Sequence, residues 1–253
     1  MSTLILGHRG ASGYAPENTL EAFSLALEQG ADGVELDVHF TRDNEIVVTH
    51  DERIDRVAND VGRVKDFTLK ELKALSFNKT HPEWENAKIP TLAEVFELFK
   101  PTNAIINIEL KNSCLPYEGL ENACLKLASR FGMEGRVIYS SFNHHSMLRL
   151  KKLDSSAVCG LLYDCTLINP WLYCKNLGMN ALHPHHSELV FAPDECQRAH
   201  ELGLKVNTWT VNDEVSMRYC FEKGADSIIT NYPDRAVRLL EGMNLKQIKI
   251  AQP

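Results

Sequence analysis

From residue 92 onward the chain alternates, six times in succession, between amphipathic segments and short apolar runs. Helix-patterned residues 92–99, 118–131, 144–153, 168–177, 193–202 and 213–223 each precede a strand-patterned run, at 104–110, 136–141, 157–162, 180–183, 205–210 and 226–230. A last helix is predicted over 233–242. Two further apolar runs stand upstream: Leu4-Ile5-Leu6, which ends at His8, and Gly33 to Phe40. Between them Asn18 is expected to cap a helix, with Glu21 in capping-box spacing and Gly30 as the stop. Strands separated by helices pair in parallel, because a parallel connection needs a crossover of a dozen or more residues. Eight such strands in 253 residues, 44% of them hydrophobic, favour one closed (β/α)₈ barrel of the TIM type over 1–253 rather than an open doubly wound sheet.

One step breaks the alternation. Only Thr41-Arg42-Asp43-Asn44 separates the second strand from Glu45-Ile46-Val47-Val48-Thr49, which is room for a hairpin and not for a crossover. If Phe40 pairs with Glu45, His50 falls opposite Glu35. Residues 51 to about 90 are polar, carry two turn-like stretches and one short helix around Leu69 to Leu75, and are expected to form a small inserted subdomain. The joints Gly30-Ala31-Asp32 and Gly224-Ala225-Asp226 resemble each other and should lie at the opposite face of the barrel, in a structural role.

The apolar runs end in charged groups: Gly7-His8-Arg9-Gly10, Val34-Glu35-Leu36-Asp37, Thr49-His50-Asp51 and Ile108-Glu109-Leu110-Lys111. Barrel sites are built at the C-terminal ends of strands. Three carboxylates suit a hard divalent cation, two imidazoles suit proton transfer near neutral pH, and Arg9 and Lys111 suit a phosphate. Glu35 and Asp37 point one way along their strand. Burying both without a cation costs several kcal/mol. Together these residues imply metal-assisted chemistry on a phosphate ester.

Bulk properties remove other classes. The net charge is −7 and no block of Lys and Arg tracks a face, so nucleic acid is not an expected partner. No apolar run approaches the roughly 20 residues of a membrane span, and Met1 to Leu6 lacks the basic start of a signal peptide. Seven scattered cysteines, an odd number with no C-x-x-C pair, read as reduced thiols of a cytoplasmic protein. Lys246-Gln247-Ile248-Lys249-Ile250 reads as a surface tail and not a membrane anchor.

The chain resembles the glycerophosphodiester phosphodiesterase family. The pieces that carry the resemblance span nearly the whole chain in family order: His8-Arg9-Gly10, Pro16-Glu17-Asn18-Thr19, Glu35-Leu36-Asp37-Val38, Thr41-Arg42-Asp43, His50-Asp51, Ile89-Pro90-Thr91-Leu92, Glu109-Leu110-Lys111, Thr208-Trp209-Thr210-Val211-Asn212 and Gly224-Ala225-Asp226. The resemblance implies one divalent metal held by Glu35, Asp37 and Glu109, His8 and His50 as the acid–base pair, Arg9 and Lys111 on the phosphate, and Trp209 near the glycerol moiety. Carboxylate ligands in a cytoplasmic protein favour Mg²⁺, with Ca²⁺ as the alternative. The implied products are glycerol 3-phosphate and an alcohol such as choline or ethanolamine. Either histidine could be the acid, and either water or a glycerol hydroxyl could attack.

Competing readings make different demands. Phospholipase-type cleavage of lysolipids or intact lipids would need an exposed apolar rim, and the sequence shows no obvious one. A catalytically silent metal- or phosphate-binding protein fits poorly with a full set of histidines and carboxylates. His183-Pro184-His185-His186 could bind zinc but lacks nearby carboxylate or thiolate company, so it reads as a pocket wall or surface loop. Trp209 alone could be barrel core.

Overall fold

A computed structural model describes residues 3–251, with side chains over 3–243. Strands β1 (Leu4–His8) and β2 (Gly33–Phe40) flank helix α1 (Leu20–Glu28), and β3 (Ile46–Val48) returns antiparallel along β2. After α2 (Leu69–Ala74) and α3 (Leu92–Phe99), strands and helices alternate: β4 (Ile105–Leu110), α4 (Leu120–Phe131), β5 (Val137–Ser141), α5 (His144–Leu153), β6 (Val158–Tyr163), α6 (Pro170–Asn176), β7 (Ala181–Pro184), α7 (Glu188–Phe191), α8 (Glu195–Glu201), β8 (Lys205–Thr208), α9 (Glu214–Lys223), β9 (Ser227–Thr230) and α10 (Pro233–Ala251). Eight strands pair in parallel in the order β1-β9-β8-β7-β6-β5-β4-β2, and β1 pairs with β2 to close the barrel. The expected (β/α)₈ barrel is therefore the fold.

Each strand sends alternate side chains outward onto the helices. Val34, Leu36 and Val38 of β2 and Ile106, Ile108 and Leu110 of β4 are buried in the main core with Phe23 of α1 and Phe96 and Phe99 of α3. Their neighbours Glu35, Asp37, Asn107 and Glu109 take the other face. Helix ends follow local chemistry. Thr91 and Glu94 form a capping box on α3, Asp213 caps α9, and Gly224 ends α9 with φ 81°, a left-handed conformation open to glycine.

Three expectations need correction. The hairpin pairs Phe40 with Ile46, so its register lies one residue from the predicted Phe40–Glu45 pairing. Thr41 Oγ1 accepts from the Glu45 amide and Thr41 N–H donates to the Glu45 carbonyl, which draws Glu45 into the turn. Thr19 and not Asn18 caps α1, accepting from the Ala22 amide. The last helix runs to Ala251. The side chains of Lys246 to Ile250, expected as a surface tail, lie outside the described residues.

The two similar joints lie at the N-terminal ends of strands and share one device. Asp32 Oδ2 accepts from the Ile5 amide at 2.8 Å, and Asp226 Oδ2 accepts from the Val206 amide at 2.9 Å. Each carboxylate caps the strand next to its own. Residues 51–90 carry a second, smaller core of Ile54, Val57, Ala58, Val64, Leu72, Phe77 and Ile89, which packs on Val47 of β3.

Gly33 shows how tightly β2 and β4 approach. A Cβ there would fall inside the contact radius of the Ile105 backbone carbonyl, which cannot move without breaking the pairing. Gly33→Ala is expected to cost roughly 2–3 kcal/mol, in the range for overpacked interiors, measured as a lowered midpoint in urea unfolding with an unchanged slope.

Candidate active site

Strand alternation brings Glu35 and Asp37 to one face of β2, and the β2–β4 register sets Asp37 beside Glu109. One oxygen from each of these carboxylates lies within 4.8 Å of the others, and among the described residues this is the one group arranged to hold a metal. All three are buried, Asp37 at 1% exposure. Burial, then repulsion from Asp37 and Glu109, pushes the Glu35 carboxyl well above the ordinary carboxylate range. Burial and Asp37 likewise raise Glu109, against the pull of Lys111. Burial acts in the same sense on Asp37, but His50, Lys111 and Arg9 outweigh it and hold this carboxyl well below its ordinary value. Asp37 Oδ1 is buried with no hydrogen-bond donor, and its nearest cation, Lys111 Nζ, stands 3.8 Å away. Crowded like charges and an unpaired buried oxygen are what a divalent cation would satisfy, so the residues fit such an ion.

The histidines flank this triad on different sides. His8 ends β1 with Nε2 4.0 Å from Glu35, while Nδ1–H donates to Asn231 Oδ1 at 2.7 Å. Burial, and then the Arg9 charge, holds His8 down to about 3. His50 follows the hairpin strand. Its Nδ1–H donates to Asp51 at 2.6 Å, and its Nε2 accepts from Lys111 Nζ at 3.1 Å. His39 Nε2 donates to the His50 carbonyl at 3.1 Å and ties this loop to β2. The one-residue register shift thus still leaves His50 in the cluster, at its Lys111 edge.

Two cations complete it. Lys111 reaches Glu109 at 2.8 Å; burial works against its ammonium, yet Asp37 and Glu109 push it up to about 12. Arg9 adopts φ 55°, donates its backbone amide to Glu35 at 3.1 Å, and sets Nε 3.5 Å from Asp37 and Nη1 2.8 Å from Glu17. Trp209 lines the same cavity as His8, Glu35 and Glu109. Its Nε1 donates to the His183 carbonyl at 2.8 Å, and its ring meets Phe142 and His185 edge-on. All eight sequence-predicted side chains therefore converge on one barrel mouth. A surface hollow of about 800 Å³ beside α4 and α5 contains none of them.

Two polar residues of this site were not singled out from sequence. Asn18 sits at φ 57°, donates Nδ2 to Asp37 Oδ2 at 2.9 Å, and accepts from the Asp37 amide at 3.4 Å. Asn231 orients His8. Asn18 stood inside the Pro16-Glu17-Asn18-Thr19 piece and could have been found there; Asn231 had no comparable signal. His183 is buried inside the barrel, held down to about 3 by burial, with Nε2 accepting from Asn207. It sits with amide and glycine neighbours and is no part of a metal group.

The mouth also has an apolar edge, contrary to expectation. Phe142 after β5, Leu167 and Ile168 after β6, Val190 and Phe191 on α7 after β7, and Val215 after β8 are exposed, Ile168 at 92% and Phe191 at 70%. They escaped notice because they come from four separate connections. Thr166 Oγ1 donates to Glu188, and Tyr219 Oη donates to the Leu189 carbonyl, which ties three of those connections together.

Buried carboxylates that fit a hard cation, beside two imidazoles and two fixed cations, are an arrangement suited to phosphoryl transfer on a (β/α)₈ scaffold. Comparison with known proteins narrows the class. The profile of the glycerophosphoryl diester phosphodiesterase family matches residues 8–235. A glycerophosphodiester phosphodiesterase of Caldanaerobacter subterraneus subsp. tengcongensis is 41% identical over 241 residues, covering 95% of this chain and 98% of its own. A glycerophosphodiester phosphodiesterase structure from Thermotoga maritima superposes with a TM-score of 0.78 at 31% identity, covering 94% and 99% of the two chains. A phosphodiesterase of Oleispira antarctica, solved in complex with the product sn-glycerol-3-phosphate, superposes with a TM-score of 0.85 at 29% identity over 95% and 97%. The chain belongs to the glycerophosphoryl diester phosphodiesterase family of enzymes.

Because Asn18 holds Asp37 by both an amide donor and an acceptor, any divalent cation that the carboxylate triad takes up is expected to bind about 10–100-fold more weakly to Asn18→Ala, the usual range for partners of ligand carboxylates. Titration calorimetry of the metal-free protein measures it.

Proposed function

We propose that this enzyme hydrolyses glycerophosphodiesters, such as glycerophosphocholine or glycerophosphoethanolamine, to glycerol 3-phosphate and an alcohol. The observation that carries the proposal is the flanking of one buried carboxylate triad by two histidines, His8 on the Glu35 side and His50 on the Lys111 side. The product bound in the Oleispira antarctica relative supports the substrate class. Residues 51–90 are read as an accessory segment of a single barrel domain. Seven free thiols, with no disulfide among the described residues, support a cytoplasmic setting. Among the described residues no helix is long and apolar enough to cross a membrane.

Glu35, Asp37 and Glu109 would hold one divalent cation, with Mg²⁺ preferred and Ca²⁺ as the alternative. When bound, such an ion supplies Lewis-acid neutralisation of a phosphoryl oxygen. Arg9 and Lys111 bind the remaining phosphate charge and stabilise it as it redistributes. Trp209 presents its ring to the glycerol carbons. The hydrogen bonds divide the histidines. His8 has a neutral partner, Asn231, and stays uncharged, so its Nε2 accepts the proton of the attacking hydroxyl. Asp51 fixes the Nδ1–H of His50; with Lys111 engaged on the phosphate in place of His50 Nε2, the protonated ring donates Nε2–H to the leaving alcohol oxygen. The attacking hydroxyl belongs to water or to the glycerol moiety; in the latter case the two roles reverse when water opens the cyclic phosphate.

EDTA-treated protein should release no glycerol 3-phosphate from glycerophosphocholine and regain turnover when Mg²⁺, Ca²⁺ or Mn²⁺ is added. No turnover with any ion would overturn the proposal. His8→Ala and His50→Ala should each lower kcat by about 10²–10⁴-fold while product binding survives. A second reading is favoured by the exposed apolar edge over β5–β8: cleavage of lysolipids whose acyl chain lies against it. On that reading lysophosphatidylcholine is turned over with a higher kcat/KM than glycerophosphocholine, and Phe191→Ser removes the difference.

A further inference from the structure

Arg56 belongs to the inserted segment, yet it reaches the catalytic cluster through two carboxylates. Its Nε donates to Asp51 Oδ2 at 2.7 Å, and its Nη2 donates to Glu17 Oε1 at 2.8 Å, with Nη1 on the other Glu17 oxygen. Asp51 in turn holds His50 Nδ1 at 2.6 Å, and Glu17 holds Arg9 Nη1 at 2.8 Å. The charges alternate along the path from Arg9 through Glu17, Arg56 and Asp51 to His50. One guanidinium thus sits between the phosphate-side cation and an acid–base histidine. The planar fork matters, since Nε and both terminal nitrogens are used at once on two carboxylates.

The anchor for this fork is local packing. Ile54, Val57 and Ala58, on either side of Arg56, are buried in the small core of the inserted segment. A second clasp joins the same two regions independently: Trp84 Nε1 donates to the Tyr14 carbonyl at 3.1 Å. The inserted segment therefore stays seated on the β1–α1 loop when Arg56 is truncated. Arg56 touches neither the carboxylate triad nor the cavity that holds Trp209, so its effect on chemistry passes through its partners.

We infer that Arg56 is a positioning residue, which locks Asp51 onto His50 and Glu17 onto Arg9 and so couples the proton donor to the phosphate clamp. This rests on the roles given to His50 and Arg9 above. Loss of the fork frees Asp51 to rotate away from His50 Nδ1 and frees Glu17 from Arg9. A misplacement of about 1 Å at a reacting group can cost on the order of 10²-fold in rate.

The test combines kinetics with nitrogen NMR of the histidine side chains. Arg56→Ala should lower kcat on glycerophosphocholine about 10–100-fold and raise KM severalfold, with the thermal midpoint little changed. Arg56→Lys keeps the charge without the fork and should recover less than half of that loss on a logarithmic scale. Arg56→Ala combined with Asp51→Asn should lose less kcat than the product of the two single losses, because both act on His50 while only Arg56→Ala also frees Glu17 from Arg9. In the spectrum, the His50 Nδ1–H signal should be protected in the wild type and lost to exchange in Arg56→Ala. This readout needs no substrate, so it still tests the positioning role if the wild type fails to turn over glycerophosphocholine. Full activity in Arg56→Ala, multiplicative losses in the double variant, or a protected His50 signal without Arg56 would each overturn the inference.

Discussion

Closure of the barrel at β1 is the constraint on which everything else rests. β1 pairs with β9 through Leu4 to Gly7 and with β2 through Leu6 to His8, so both ends of the chain's strand order meet on one five-residue segment. That single strand also delivers His8 and, one residue later, Arg9. Parallel pairing then brings the C-terminal ends of all the barrel strands to one mouth. Glu35 and Asp37 arrive from β2, Glu109 from β4 and Trp209 from just beyond β8. Registry between neighbours, and no long-range coincidence, makes three carboxylates near neighbours.

The cost of that arrangement is electrostatic. Three acids out of water repel one another and lose hydration. The chain offsets part of this with His50, Lys111, Arg9 and the Asn18 amide, all acting on Asp37, which holds that carboxyl low while Glu35 and Glu109 are pushed towards their neutral forms. The compensation is uneven, and the unevenness falls where an added cation would act. The histidine partners show a similar asymmetry: an amide oxygen faces one ring and a carboxylate faces the other.

Much of this was legible in the amino-acid order, and the illegible part has a physical reason. The charged groups were readable because they end or interrupt apolar runs, at His8, Glu35, Asp37, His50 and Lys111. The helix–strand rhythm carried the fold class because parallel strands cannot be joined any other way. The hairpin register was misread by one residue because Thr41 takes the Glu45 backbone into the turn, a side-chain effect that apolar alternation does not record. Asn18 was read as a helix cap because asparagine is a good one; the next residue, Thr19, took that place and released Asn18 to Asp37. The apolar edge over β5–β8 and the Arg56 fork were invisible for another reason. Each is assembled from residues tens of positions apart, none of them unusual alone.

The paired aspartates at the floor of the barrel carry a consequence for how such a protein can change over time. Asp32 and Asp226 clamp neighbouring strands from below, far from the mouth. Strand alignment is thereby secured at the end where no chemistry happens. The connections above are then free to lengthen, or to turn greasy on one side, without the scaffold losing its alignment. A descendant could exchange one alcohol for another by remodelling these upper connections alone, keeping the lower half as an unaltered inheritance.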